Sequence, residues 1–181
     1  MLEENGRLTH LVDNLLFLSR ADSKTLDKHL NKLQLNSFIR ETVEFILALA
    51  EEKNQSITIQ ADKEITVIAD RALLKQALLN LLDNAIKYSP ENSQIIVRAS
   101  LAENNSALIE VKDNGPGIPA EHLGKIFERF YRVDNGRSRE MGGSGLGLAI
   151  ARWAVNAQGG KLTVESKIGE GSSFEILLSL K

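Results

Sequence analysis

The sequence predicts an α+β fold in which one sheet carries helices on one face, a two-layer sandwich. Three observations carry this reading. Short runs of alternating apolar residues recur, as at Ile57 and Ile59, Ile65 and Val67, and from Ala107 to Lys112. Two pairs of runs flank turn-forming segments, Glu103-Asn104-Asn105-Ser106 and Gly169-Glu170-Gly171, which marks antiparallel hairpins. Helical patterns fall among the strands in mixed order rather than in strict alternation. At 181 residues, 43% of them hydrophobic, the chain is long enough to bury a core of ordinary size.

The elements follow in order. Leu2 to Asp22 reads as a separate N-terminal helix, with Leu8, Leu11, Leu15 and Leu18 at coiled-coil spacing and Val12 and Leu16 widening the stripe. It either packs on its own domain or joins an intermolecular bundle, since an isolated Leu stripe needs partner helices to cover it. Residues 23–31 are polar and read as a linker, so the divisions are 1–22, 23–31 and 32–181. Leu33 and Leu35 suggest a short strand. Asn36 or Ser37 is positioned to cap a helix whose apolar face is Phe38, Ile39, Val43, Ile46, Leu47 and Ala50. Strands are expected over 56–61 and 65–69. Asp70 caps a long helix that ends before Ser89-Pro90. Strands over 94–101 and 107–112, a helix from Gly145 to Gln158 stopped by Gly159-Gly160, and strands over 162–166 and 173–180 complete the chain.

Composition excludes several classes. A formal charge of −2 does not suggest a general nucleic-acid binder. With no Cys there is neither a disulfide framework nor a thiolate metal site. No apolar run approaches the roughly 18 residues of a membrane span, and no secretory signal is visible at Met1. A cytoplasmic setting is expected, in a piece of a membrane-anchored protein, because Met1 opens directly into a helical pattern without a cap.

On the long helix, Leu74, Leu78, Leu81, Leu82, Ala85 and Ile86 share one arc. Gln76, Asn80, Asp83, Asn84, Lys87 and Tyr88 share the other. A solvated face is one reading, but Asn is a poor helix former and Glu or Lys would serve better there. Asn80 and Asn84 at i, i+4, with Lys87 a turn on, place two amide oxygens and a cation on one patch. That chemistry suits Mg²⁺ and phosphate.

Six of the 13 glycines lie in two runs, Asp113-Asn114-Gly115-Pro116-Gly117 and Gly142-Gly143-Ser144-Gly145-Leu146-Gly147. Glycine suits positive φ and close approach to a ligand. Asp113 at a strand end is either a turn residue or a carboxylate accepting a hydrogen bond from an adenine amino group. The second run opens a helix whose free N–H groups suit phosphate. It fits neither a dinucleotide fingerprint nor a Walker A loop. Between the runs, Phe127, Phe130 and Tyr131 suit a lid hinge, while Arg129, Arg132, Arg137 and Arg139 suit phosphate.

Four blocks occur together in order: Asn80 to Tyr88 (NLLDNAIKY), Asp113 to Ile118 (DNGPGI), Phe127 to Arg132 (FERFYR) and Gly143 to Ala149 (GSGLGLA). They resemble the N, G1, F and G2 boxes of bacterial sensor histidine kinases of two-component systems. The resemblance covers roughly Leu33 to Leu180 and implies the Bergerat ATP-binding fold, a mixed sheet against three helices. It implies ATP and Mg²⁺ as cofactors. Asn84 would coordinate Mg²⁺, Asn80 and Lys87 would support the phosphate end, and Arg132 would approach the γ-phosphate from a lid spanning Arg129 to Met141. The nucleotide-binding set would be Asn84, Tyr88, Asp113, Gly115, Gly117, Ile118, Phe127, Gly143, Ser144, Gly145, Leu146 and Gly147, with Asp113 on the adenine amino group.

The first segment resembles the second helix of the family's dimerisation and phosphotransfer hairpin, through Arg7 to Val12, Leu15-Leu16 and Leu18 to Arg20. The helix carrying the phosphoacceptor His is not seen, and His10, His29 and His122 do not replace it. The expectation is a protein-histidine kinase catalytic domain that binds ATP, does not phosphorylate itself in this form, and self-associates through Leu2 to Leu18 only in a non-native way. The full-length protein would be a homodimer passing phosphate to a response regulator. Related ATPases and serine kinases carry a Glu base where Asn80 stands, and an amide cannot take a proton. A neutral imidazole nitrogen already has a lone pair, which favours transfer to His. A hydrolase or serine kinase of the same fold, and a non-catalytic nucleotide-binding module, remain the alternatives.

Overall fold

The computed structural model describes residues 28–61, 63–133 and 144–180. The expected helix over Leu2–Asp22, His10, Gly142, Gly143, Arg137, Arg139 and Met141 lie outside them. Among these residues seven strands and five helices follow in chain order: β1 (Leu30–Gln34), α1 (Leu35–Glu44), α2 (Leu47–Glu52), β2 (Ser56–Gln60), β3 (Thr66–Asp70), α3 (Arg71–Tyr88), β4 (Gln94–Ala102), β5 (Ser106–Asp113), α4 (Ala120–Leu123), α5 (Gly147–Ala157), β6 (Lys161–Lys167) and β7 (Gly171–Ser179). β1 thus begins inside the stretch read as linker.

The main sheet has the order β2-β4-β5-β7-β6. β2 runs parallel to β4 and the other pairs are antiparallel, so the sheet is mixed. Alternation along each strand sends one set of side chains inward. Val97, Val111 and Phe174 stand side by side in register, as do Ala99, Ile109 and Ile176, all buried. Helices α1, α3 and α5 cover this face, with α3 packed along α5 and contributing Leu74, Leu78, Leu81 and Leu82, all fully buried. The outer face is polar and tied across strands: Arg98 donates to Gln60 on β2 and pairs with Glu110 on β5, which accepts from Ser173 on β7.

The structure corrects four expectations. There are two sheets, not one: β1 and β3 pair antiparallel as a separate ribbon, Leu33 opposite Val67. Leu35 opens a helix rather than ending a strand, and its N–H donates to the Ile65 carbonyl at 2.9 Å. The helix therefore starts before Asn36 and Ser37, and neither caps it. Asn36 Nδ2 instead donates to the Ala61 carbonyl at 2.9 Å. The apolar stripe from Phe38 to Ala50 is split at Phe45 and Ile46, which leaves Phe45 exposed with Lys75 Nζ 3.9 Å from its ring centre.

Asp70 behaves as expected. Its Oδ1 accepts from the N–H of Ala72 (2.9 Å) and Leu73 (3.1 Å), satisfying two free donors of the first turn of α3. Its Oδ2 accepts from the His29 N–H, and its own N–H donates to Gln158 at the end of α5. Asp70, through its carboxylate and its backbone N–H, thereby joins the small ribbon to both long helices.

Candidate functional site

β5 delivers Asp113 to the inner face, because it continues the alternation of Ile109 and Val111. It lies opposite Ser172 of β7 and is 4% exposed. Oδ1 accepts from Gly115 N–H (2.8 Å) and Ser172 N–H (3.3 Å). Oδ2 has no hydrogen bond among the described residues. Burial pushes the carboxyl above its ordinary pKa, and the two backbone N–H groups pull it partly back.

The turn after Asp113 is locked to the β6–β7 hairpin through backbone. Gly117 has φ +75°, and a Cβ there would lie 2.1 Å from the Lys167 carbonyl oxygen. Gly171 has φ +95°, and its Cβ would lie 2.0 Å from the Asp113 carbonyl oxygen. No side chain fits either position. Gly169 N–H donates to the Pro116 carbonyl (2.8 Å). Ser166 Oγ accepts from Ile118 N–H and donates to the Gly171 carbonyl, each at 2.8 Å. Gly115 sits between Asp113 and the Tyr88 carbonyl, where a Cβ would lie 2.8 Å from Asp113 Oδ1 and 3.3 Å from Tyr88 O. The Asp113 turn therefore abuts the C-terminal turn of α3.

The polar arc of α3 is only partly polar. Asn80 is buried at the α3–α5 contact, not solvated. Its Nδ2 donates to the Gln76 carbonyl (2.8 Å), and its Oδ1 would lie 2.9 Å from a Cβ on Gly147. Asn84, Lys87 and Tyr88 are half-buried and Asp83 is exposed. Lys87 Nζ lies 6.0 Å from the Tyr88 ring centre. Burial raises the Tyr88 phenol pKa, the Arg132 guanidinium lowers it, and Asp83 raises it. Arg132 therefore stands near Tyr88. Its Nε and Nη2 are buried and have no hydrogen-bond partner among the described residues.

Gly145, at φ +70°, lies against the backbone of Phe130, where a Cβ would come within 2.8 Å. Phe130 N–H donates to the Gly145 carbonyl at 2.9 Å, and Phe130 is itself left-handed at φ 63° with an exposed ring. Ser144 Oγ accepts from the N–H of Leu146, a buried residue that precedes α5. Phe127 packs edge-on against Phe174, with the Arg152 guanidinium 5.2 Å from its ring centre, and so anchors this segment in the core. Among the described residues no cluster of three His, Asp or Glu stands ready for a metal.

Asp113, Gly115 and Tyr88 thus meet at one end, and Tyr88 and Arg132 at the other. Asn80 with Gly147, and Gly145 with Phe130, form the α5 side. Ser166, Gly171 and Ser172 complete the Asp113 turn and were not foreseen. Gly169-Glu170-Gly171 is visible in the sequence only as a turn, and nothing local ties it to a carboxylate 58 residues earlier.

A mixed sheet under three helices, with a buried carboxylate at a glycine turn and a glycine-opened helix beside it, defines a class of nucleotide-handling proteins. The chain belongs to the histidine kinase-, DNA gyrase B- and HSP90-like ATPase family, whose model matches residues 69–181. It is 37% identical over 179 residues to the sensor histidine kinase WalK of Bacillus subtilis strain 168, across 98% of this chain and 29% of WalK. It is 38% identical over 176 residues to the histidine-protein kinase ArlS of Staphylococcus haemolyticus, across 97% of this chain and 38% of ArlS. The fold matches the catalytic domain of the histidine kinase ThkA with TM-score 0.73 and 30% identity, across 84% of this chain and 96% of that one. The chain spans well under half the length of WalK and of ArlS. Among the described residues no helix is long and apolar enough to cross a membrane.

Proposed function

We propose that this chain is the ATP-binding catalytic portion of a sensor histidine kinase, which holds Mg-ATP and presents its γ-phosphoryl group to a histidine on a dimerisation hairpin. Tyr88 carries the reading: its carbonyl meets the Asp113 turn and its phenol feels the charge of Arg132, whose Nε and Nη2 are buried without partners among the described residues, so base recognition and phosphate binding would meet at this residue. Asp113 Oδ2 would accept from the adenine amino group, since Oδ1 is committed to Gly115 and Ser172. Ile118 and Phe127 line the base side, and Gly143 to Gly147 with Lys87 and Arg132 serve the phosphates. A buried guanidinium without a partner is costly, and a phosphate oxygen satisfies it.

The donor chemistry fits one Mg²⁺ held by Asn84 through its amide oxygen, because Mg²⁺ keeps several waters and takes phosphate oxygens rather than a full protein cage. When bound, the ion neutralises phosphate charge; the chain itself binds, orients and excludes water. In the transfer, the bond from the γ-phosphorus to its bridging oxygen breaks as one forms to an imidazole nitrogen, and ADP leaves with the electron pair. Asn80 is no base for water or a hydroxyl; its amide donates back to Gln76 within α3 and lies against Gly147 of α5. The full-length protein would be a membrane-anchored homodimer whose cytoplasmic part passes phosphate to a response regulator.

The test offers Mg-ATP labelled at the γ-phosphate to this chain, with a hairpin carrying the acceptor histidine. Acid-labile, alkali-stable label on the hairpin is expected. Label on serine, or rapid phosphate release without acceptor, sinks the proposal in favour of the hydrolase or serine-kinase alternative.

A further inference from the structure

Helix α3 ends under an unusual demand. Pro90 has no N–H, so the donor that would continue the ladder to the Ile86 carbonyl is missing, and Ser89 N–H already goes to Ala85. Two side chains from the segment between α2 and β2 fill the gap. Lys53 Nζ donates to the carbonyls of Ile86 (2.8 Å) and Lys87 (2.9 Å), and reaches that of Ser89 at 3.5 Å. Gln55, 5% exposed, donates through Nε2 to the carbonyls of Ile86 (3.1 Å), Ser89 (3.1 Å) and Pro90 (3.0 Å). An ammonium at a helix C-terminus also opposes the negative end of the helix dipole. Asn92 N–H returns a bond to the Lys53 carbonyl at 3.1 Å, so the two segments grip each other from both sides.

This turn is also the one that reaches the cleft. Lys87 and Tyr88 project from it, and the Tyr88 carbonyl lies against Gly115 of the Asp113 turn. We propose that Lys53 and Gln55 are positioning residues for the nucleotide site, fixing the last turn of α3 so that Lys87, Tyr88 and the Asp113 turn keep their mutual geometry. The inference rests on the nucleotide reading above. Neither residue need touch the ligand; both act from behind the helix, on its backbone.

The test titrates the whole chain with Mg-ATP at a temperature where circular dichroism shows each variant folded. Lys53→Met should weaken binding by about tenfold, and Lys53→Arg, which keeps donors at the helix end, should recover most of it. Mg-ATP raises the unfolding midpoint of any chain that binds it in the folded state. Lys53→Met should lose much of that rise, whereas a residue that only stabilises the fold lowers both midpoints and leaves the rise intact. Unchanged affinity in Lys53→Met overturns the proposal. If that variant does not fold, Gln55→Met is judged by the same titration, and unchanged affinity there overturns it equally. A wild-type chain that takes up no Mg-ATP overturns the nucleotide reading instead.

Discussion

The two ends of the cleft are built on opposite terms. At the Asp113 end, backbone meets backbone: Gly117 and Gly171 leave no room for a methyl group, and Ser166 ties three strands of chain together. At the Arg132 end, the guanidinium Nε and Nη2 are buried with nothing to bond to among the described residues, and the tight contact of Gly147 is with a side chain, Asn80. At the first end the backbone is packed and bonded and one carboxylate oxygen stays open, whereas at the second two guanidinium nitrogens are left without partners among the described residues.

Three substitutions test that contrast, from largest effect to smallest. Gly117→Ala places a methyl group against the Lys167 carbonyl in a left-handed residue, where neither side can yield. It should cost about 4 kcal/mol or more of stability, read from denaturant unfolding. A loss below about 1 kcal/mol would show that the Asp113 end is not locked.

Asp113→Asn separates binding from folding at the same end. An amide oxygen still accepts from Gly115 and Ser172, but its NH₂ would face the adenine amino group. Mg-ATP affinity should fall by about a hundredfold. The sign of its stability effect follows from burial. A carboxyl whose pKa is raised favours the fold below the ordinary carboxylate range, and that contribution is lost as pH rises through the raised value. The variant, which does not titrate, should therefore match the wild type in acid and gain on it toward neutral pH. A variant that is less stable than wild type at pH 7, or that binds Mg-ATP equally well, contradicts the assignment.

Arg132→Met removes the two buried guanidinium nitrogens that have no partner among the described residues. The apo chain should become more stable by about 1 kcal/mol, while Mg-ATP affinity drops by about tenfold. Destabilisation of the apo chain would mean that the guanidinium is satisfied, and the contrast between the two ends would fail.

Much of this was legible in the sequence because it is local. Asp70 as a cap, Ser89-Pro90 as a stop, and the hairpins of β4–β5 and β6–β7 all announce themselves within a few residues. The site's halves were legible as glycine runs and as amides on α3. What escaped depends on distant partners. Asn80 read as part of an exposed-side patch with Asn84 and Lys87, because periodicity does not reveal that α5 lies across it. Ser166 and Ile118 are 48 residues apart, and Ser172 and Asp113 are 59 apart, distances over which no pattern carries. The split at Phe45 and the separate β1–β3 ribbon were hidden for a related reason: β-branched and apolar residues suit either arrangement until tertiary packing decides.

The bond from Phe130 N–H to the Gly145 carbonyl has a consequence for how the chain tolerates change. It brings Phe130 and Gly145 together, so the chain between them leaves and returns at one point. Chain length inserted between pinned edges costs only closure entropy, about 0.6 kcal/mol for each doubling. A change in the number of residues between Phe130 and Gly145 therefore alters the length of a loop whose base stays closed by that one bond.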